Sequence, residues 1–300
     1  AEADEYQNKL AYYNPWSAVL TSVDFDHPDF FETFEDYKKT FSNFVAKIPK
    51  HGFLVVCGDD ADAIRVAKSA SCQVLTYGFG EECDYKIVDL SSKNWSGDGE
   101  LVKNFRIFYA GEILGEFGTT LIGRHNMLNA TAAIAVCHKL KLDLEKIKKA
   151  ILSFKGTSRR FEYIGERDGA ILIDDYAHHP EEIKATLKGA REKYYRKNIW
   201  TVFHPHTFTR TKALLQEFAQ SFDSADKVIV IDIYGSAREI QGGISSADLV
   251  ELINKYNPGK AEYIPTIPEV VKFLKNKISS KDVVISMGAG NVWEVTKNLC

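Results

Sequence analysis

The run Ala170-Ile171-Leu172-Ile173-Asp174-Asp175-Tyr176-Ala177-His178-His179-Pro180 decides how the second half of this chain reads. Four apolar residues of strand length pass directly into charged and aromatic ones, and Pro180 opens a helix whose spacing carries it to about Tyr194. The pattern recurs downstream. Ile199 to Phe203 runs into His204-Pro205-His206-Thr207-Phe208-Thr209-Arg210, ahead of a helix expected through Thr211 to Phe222. Val228 to Ile233 runs into Tyr234-Gly235-Ser236-Ala237-Arg238-Glu239, ahead of a helix near Ala247 to Tyr256. Val283 to Ser286 runs into Met287-Gly288-Ala289-Gly290-Asn291 and a last helix. Short apolar strands alternating with amphipathic helices predict a doubly wound, Rossmann-like α/β domain. In such a sheet the carboxyl ends of the strands share one edge, and ligands bind in the crevice there. One polar strand end is ordinary, because turns and caps use the same residues. Four ends carrying carboxylates, imidazoles, guanidiniums and a glycine turn point to a site.

Upstream, Ala18 to Val23 has strand length and is followed by Asp24-Phe25-Asp26-His27-Pro28-Asp29. Apolar residues from Phe31 to Ile48 recur near helical spacing, Phe53 to Cys57 reads as a buried strand, Ala61 to Ala70 as a helix and Val74 to Tyr77 as a second strand. That is one strand-helix-strand unit of the kind that builds parallel sheets. Phe105 to Tyr109 and Ile113 to Phe117, joined by Ala110-Gly111-Glu112, read as a hairpin, and helices follow over about Asn126 to Leu140 and Leu144 to Phe154. The polar stretch Lys155-Gly156-Thr157-Ser158-Arg159-Arg160 marks the boundary between a domain over 1–160 and another over 161–300. The second, from about Glu162 onward, is expected to fold on its own.

Bulk properties narrow the function classes. The chain has 300 residues, 45% of them hydrophobic, and a formal charge of −3 with both signs interleaved, which gives no footprint for nucleic acid or a membrane surface. Cys57, Cys72, Cys83, Cys137 and Cys300 are odd in number and scattered without a C-x-x-C pair, a pattern of the reducing cytosol and not of a disulfide framework or zinc site. Without an apolar run of membrane length or a signal segment, the expectation is a cytoplasmic protein. The opening Ala1-Glu2-Ala3-Asp4-Glu5 has no initiator methionine and no leading strand, so a fragment of a longer protein is expected.

The residue types suit anionic ligands. Arginines and histidines at strand ends favour phosphates and carboxylates, Asp175 suits a ribose hydroxyl pair, and Gly288-Ala289-Gly290 is a weak signal for a backbone turn around an anion. Glu2 and the Asp24/Asp26/His27 cluster suit a divalent ion, although magnesium prefers oxygen ligands. Taken alone, Asp26 and His27 read more readily as polar residues at a helix entry.

Read in order, these motifs resemble one family. Glu2-Ala3-Asp4-Glu5, Asp24-Phe25-Asp26-His27, Gly123-Arg124-His125-Asn126 with Asn129, and Phe154-Lys155-Gly156 with Arg159-Arg160-Phe161-Glu162 are similar to the central domain of the Mur ligases. Asp174 to Pro180, Pro205-His206 with Arg210-Thr211, Asp232-Ile233-Tyr234, Ala237-Arg238-Glu239 and Met287 to Gly290 are similar to that family's carboxy-terminal domain. The resemblance implies a remnant of the central ATPase domain followed by the Rossmann-like amino-acid-binding domain. It also implies an ATP- and Mg2+-dependent, ADP-forming amide ligase of peptidoglycan precursor synthesis that works through an acyl phosphate.

Asp-Asp-Tyr-Ala-His-His-Pro with Pro-His-x-x-x-Arg-Thr is most similar to the branch that joins L-alanine to UDP-N-acetylmuramate. The branch that attaches a recycled peptide to the same sugar nucleotide comes next, and a non-catalytic nucleotide-binding remnant is the third reading. By resemblance, Glu2 and His27 hold magnesium, and His125, Asn126, Asn129 and Asp175 face the nucleotide. Arg159 or Arg160 lies toward the phosphates, Tyr176, His178, His206 and Arg210 meet the amino acid, and His178 with the two arginines carries the chemistry. His179 is expected to serve the helix start. No G-x-x-x-x-G-K-[ST] loop occurs, so the chain by itself is expected to be inactive. Thr207 stands where a second cation is common in the L-alanine branch.

Overall fold

The structure, a computed structural model, describes residues 1–90, 102–235 and 242–300, so the Ala237-Arg238-Glu239 motif lies outside the described residues. It divides into two compact units, 1–155 and 156–300.

In the first unit, a 3-10 helix (Tyr6–Tyr12) precedes β1 (Ser17–Leu20), α1 (Phe34–Val45), β2 (Phe53–Cys57), α2 (Ala61–Ala67), β3 (Gln73–Gly78), β4 (Tyr85–Asp89), β5 (Lys103–Tyr109), β6 (Glu112–Thr119), α3 (Arg124–Lys139) and α4 (Leu144–Ser153). The six strands form one sheet in chain order, parallel from β1 to β4 and antiparallel from β4 to β6. Strand periodicity explains why β2 is apolar throughout. Phe53, Val55 and Cys57 point to the layer of α3 and α4, while Leu54 and Val56 point to α1 and α2, so both faces are covered. Ala110 (φ 51°) and Gly111 (φ 84°) form the two-residue hairpin loop; two left-handed residues match the twist of the flanking strands. The α1 cap is Thr33, whose hydroxyl accepts from Asp36 N at 3.1 Å, so Asp26 and His27 are not the helix-entry residues their sequence position suggested. They form a separate turn in which Asp26 Oδ1 accepts from His27 N.

The second unit comprises β7 (Glu162–Arg167), β8 (Ala170–Asp175), α5 (Pro180–Lys193), β9 (Asn198–Phe203), α6 (Phe208–Ala213), α7 (Leu215–Ala219), β10 (Lys227–Val230), α8 (Ser246–Tyr256), β11 (Ala261–Tyr263), α9 (Ile267–Lys275), β12 (Asp282–Met287) and α10 (Trp293–Leu299). The sheet order is β11-β10-β9-β12-β8-β7, parallel except for β7. Leu187 of α5, Phe218 of α7 and Ile253 of α8 pack one face; Val270 of α9 and Val295 of α10 pack the other. This is the doubly wound architecture, with β12 buried along its full length between β8 and β9.

Two local expectations change. The helix expected over Thr211 to Phe222 is broken at Leu214 (φ −112°, ψ 26°), giving α6 and α7. β7 is an edge strand with a bulge between Tyr163 and Gly165; its half-solvated face carries no apolar run to announce it. Among the described residues, no helix is long and apolar enough to cross a membrane.

Arg159 belongs physically to the second unit. Its Nε donates to Asp174 Oδ2 at 2.9 Å and its Nη2 to Gly288 O at 2.7 Å, and Asp174 is only 1% exposed. A polypeptide beginning at Gly156 should therefore show one cooperative thermal transition, whereas one beginning at Glu162 should melt markedly lower because Asp174 keeps no guanidinium. Equal melting temperatures would show that the Arg159 pairing contributes nothing.

Candidate functional site

In the first unit, Asp59 follows β2 and its carboxylate accepts from Phe79 N (3.0 and 2.9 Å) and Gly80 N (2.9 Å), shaping the loop after β3. The Arg124 guanidinium lies 3.6 Å over the Phe79 ring and brings the start of α3 to that carboxyl edge. On the first turns of α3, Asn126 Nδ2 donates to Ile122 O at 2.8 Å and lies 3.1 Å from His125 Nε2, while Asn129 Nδ2 is 3.5 Å from Asn126 Oδ1. The three polar residues thus form one contiguous stripe. Asp59 and Phe79 were not singled out from the sequence; the only signal was the flanking Gly78 and Gly80.

The implied metal pair looks different. His27 (φ 56°) lies tilted against Tyr6 with ring centroids 4.5 Å apart, and its Nε2 is 3.6 Å from Glu5 Oε1 and 3.8 Å from Asp26 Oδ2. Glu2 is exposed. Among the described residues, no group of three or more His, Cys, Asp or Glu side chains is arranged to hold a metal ion.

The carboxyl ends of β8, β9, β10 and β12 build the second site. Tyr176 and His178 leave β8 with ring centroids 5.2 Å apart, and His178 is 6.3 Å from His206, which leaves β9. His206 stacks on Tyr234 at 5.5 Å, an arrangement fixed by Tyr234 N donating to Pro205 O and Thr207 N donating to Tyr234 O. Arg210, 4% exposed, reaches back with Nη1 3.3 Å from His206 Nδ1. Thr207 (φ 69°) caps α6, its hydroxyl accepting from Arg210 N at 3.3 Å, so this position aims the arginine without supplying a second charge. The structure thus brings together Tyr176, His178, His206 and Arg210.

Arg159 and Arg160 place their guanidiniums 4.9 and 5.4 Å over the Tyr176 ring. They differ in freedom. Arg159 is committed to Asp174 and to the Gly288 carbonyl, while Arg160 is half-exposed, 3.6 Å from Glu182 Oε1. Asp175 does not present an open carboxylate. Its oxygens accept from Phe161 N (2.8 Å), Ala177 N (2.8 Å) and Thr186 Oγ1 (3.3 Å), and burial pushes its carboxyl up to about 6.

His204 is buried, its Nδ1 without a hydrogen-bond partner among the described residues, and burial followed by the nearby His206 pushes the imidazole down to about 4. A Cβ on Gly290 would sit 2.8 Å from His204 Nδ1, and one on Gly288 (φ 147°) 2.8 Å from His204 O. These glycines therefore serve the close approach of β9 to the β12 turn, a packing need that the G-x-G pattern did not distinguish from anion binding. Beside them lies a cleft of about 440 Å³ lined by His204, Asp232, Tyr234, Asn291 and Glu294.

The two buried titrating groups act in opposite directions. His204 binds its proton more readily when unfolded, so its contribution to stability is lost as pH falls from about 6.5 to 4. Asp175 binds its proton more readily when folded, so its contribution rises as pH falls from about 6 to 3.8. Replacing His204 by glutamine should improve stability relative to the parent by about 3 kcal/mol on going from pH 7 to pH 4. Thermal melts of both proteins across that range, running in parallel, would sink the assignment.

The comparisons with known proteins follow this division. Residues 2–137 match the Mur ligase middle domain and residues 159–290 the Mur ligase glutamate ligase domain. The UDP-N-acetylmuramate–L-alanine ligase of Caldanaerobacter subterraneus is 42% identical over 98% of the chain and 62% of the relative. That of Desulfitobacterium hafniense is 39% identical over the whole chain and 65% of the relative. The chain thus spans less than two thirds of the length of these relatives. The crystal structure of the UDP-N-acetylmuramate–alanine ligase of Thermotoga maritima superposes with a TM-score of 0.77 at 22% identity, covering 99% of this chain and 62% of that one. The murein peptide ligase of Psychrobacter arcticus superposes with 0.68 at 22% identity, covering 99% and 61%. With one family's two successive domains matched in order over most of its length, and with relatives near 40% identity, the chain belongs to the Mur ligase family, of which it carries the middle and the glutamate ligase domains.

Proposed function

We propose that this chain is the nucleotide- and amino-acid-handling part of an ADP-forming amide ligase that joins L-alanine to UDP-N-acetylmuramate in the cytoplasm. The observation that carries the reading is the convergence of Tyr176, His178, His206 and Arg210 from the ends of β8 and β9. Such a cluster suits a small zwitterion. The Arg210 guanidinium holds the α-carboxylate through charge-assisted hydrogen bonds, the aromatic rings bound the volume left for a side chain, and His178 stands where the amine needs a base. The relatives carrying this activity in their names support the choice of substrate.

The division of labour between the unit of 1–155 and that of 156–300 follows. The α3 stripe of His125, Asn126 and Asn129 faces the adenine, and Asp175, saturated by backbone amides, holds the Tyr176-Ala177-His178 turn in place more than it meets the ribose. Of the two arginines, Arg160 is the one with charge to spare for a transferring phosphoryl group, where positioned charge is the main requirement. Arg159 supports it from beneath. Magnesium takes few protein ligands when phosphates supply the rest; Glu5 and Asp26, whose carboxylates lie 3.6 and 3.8 Å from His27 Nε2, would supply oxygen ligands beside that histidine, with Glu2 as the resemblance implies. When bound, it neutralises phosphate charge.

The test is ADP release by the full-length protein. Release that requires both UDP-N-acetylmuramate and L-alanine, with glycine and L-serine as weaker substrates, is expected, because one methyl or hydroxyl is discriminated by only about 1–3 kcal/mol. Efficient use of a tripeptide in place of L-alanine would move the assignment to a recycling ligase.

A further inference from the structure

Glu182 has no role in the reading above, yet it lies at the centre of the β8–α5 turn. It occupies the third position of α5, where a glutamate ordinarily completes a capping box, and its Oε2 does accept from His179 N (3.2 Å) and His178 N (3.0 Å). The same oxygen is 3.3 Å from His178 Nδ1, and Nδ1 is also 3.0 Å from Tyr176 O. A carbonyl oxygen and a carboxylate oxygen can only accept, so the ring nitrogen between them must carry the proton.

We propose that Glu182 is a positioning residue whose carboxylate fixes His178 as the Nδ1–H tautomer and makes Nε2 the atom that takes the proton from the incoming amine. This rests on the assignment of His178 as the base. Free L-alanine arrives as an ammonium, which has no lone pair for attack. One ammonium N–H bond breaks and an Nε2–H bond forms; the positive charge passes to the ring, with the Glu182 carboxylate 3.3 Å from Nδ1 to receive it. The freed amine lone pair then forms the C–N bond at the acyl-phosphate carbon, the C–O bond to phosphate breaks with its electron pair going to the phosphate, and the departing phosphate takes the second nitrogen proton, leaving the neutral amide.

Two features make the carboxylate fit for this. Backbone amides at the helix start hold it in one rotamer, so it orients the ring instead of following it. Its second oxygen faces Arg160 at 3.6 Å, which keeps it ionised: burial pushes the Glu182 carboxyl up, but His178, the two amides and Arg160 together hold it below its ordinary value. Among the described residues, the other charged or titratable groups near the ring include Asp175 and Tyr176 at the end of β8, the adjacent His179, Arg159 and Arg160 from the segment before β7, and His206 with Arg210 from the β9–α6 turn.

Glu182→Gln tests this, because the amide oxygen still caps α5 while the charge is gone. In the 300-residue chain labelled with 15N-histidine, and with His178→Gln identifying the signal, the parent ring should show Nδ1–H. Its pKa should fall by about one unit or more in Glu182→Gln. An Nε2–H ring in the parent, or a pKa that does not move in the variant, would overturn the proposal and leave Glu182 a helix cap only.

In the full-length protein the same variant should lower kcat by about 10- to 100-fold and shift the acid limb of the rate profile to lower pH, with the KM for ATP unchanged within about twofold. If the ring behaves as expected but turnover and its acid limb stay put, Glu182 orients His178 and the assignment of His178 as the base falls.

Discussion

Replacing Arg210 by alanine in the full-length protein is expected to raise the KM for L-alanine by about 100-fold while the KM for ATP stays within about twofold. The magnitude follows from removing a charge-assisted, two-pronged contact to the α-carboxylate from a site in which Arg210 is 4% exposed and therefore shielded from competing water. The selectivity follows from position: Arg210 lies on α6 against His206, whereas Arg159 and Arg160 stack on Tyr176. Arg210→Lys separates charge from shape. It keeps the positive charge but loses the planar fork, so an intermediate loss is expected. Equal losses for both substrates, or a lysine variant as weak as alanine together with a lowered melting temperature, would assign Arg210 to the fold.

The second large effect concerns stability. Arg159→Ala should destabilise the 156–300 unit by about 3 kcal/mol or more, because it strands a carboxylate that is 1% exposed. Asp174 retains only the Ser286 hydroxyl at 2.6 Å, itself in contact with Thr296, so the uncompensated charge lies in the middle of the β8–β12 pairing. For a unit of this size the loss corresponds to a fall of roughly 10 °C in melting temperature. Arg160→Ala is the control: its partner Glu182 keeps two backbone amides and water, so its melting temperature should change by no more than about 2 °C while activity falls. An Arg159 variant that melts like the parent but loses phosphoryl transfer would reverse the roles assigned to the two arginines.

Several parts of the architecture were legible in the residues because burial on both faces leaves a signature that does not depend on neighbours. Phe53 to Cys57 is apolar at five successive positions, and the structure covers that strand from above and below. Val283 to Ser286 is the same case in the second unit. Several half-exposed elements were not legible. The antiparallel β7 alternates irregularly around a bulge, β11 is three residues long, and α9 begins at Ile267-Pro268 after Ile264-Pro265-Thr266, where two closely spaced prolines interrupt the periodic pattern.

For the site, sequence order determined that histidines, arginines and carboxylates gather at the carboxyl ends of the strands, since a parallel sheet puts all such ends on one edge. Tertiary structure alone decided what each residue is free to do. Asp174 and Asp175 are adjacent and chemically identical, yet one is buried against a guanidinium and the other against backbone amides. Arg159 and Arg160 are likewise neighbours, one committed to the sheet and one half-exposed. Glu182 was not singled out in the sequence; the fold placed its oxygen beside an imidazole. The physical reason is common to all of them. Residue type sets which charges and hydrogen bonds are possible, but burial and the directions of neighbouring donors decide which are already satisfied, and those depend on segments far apart in the chain.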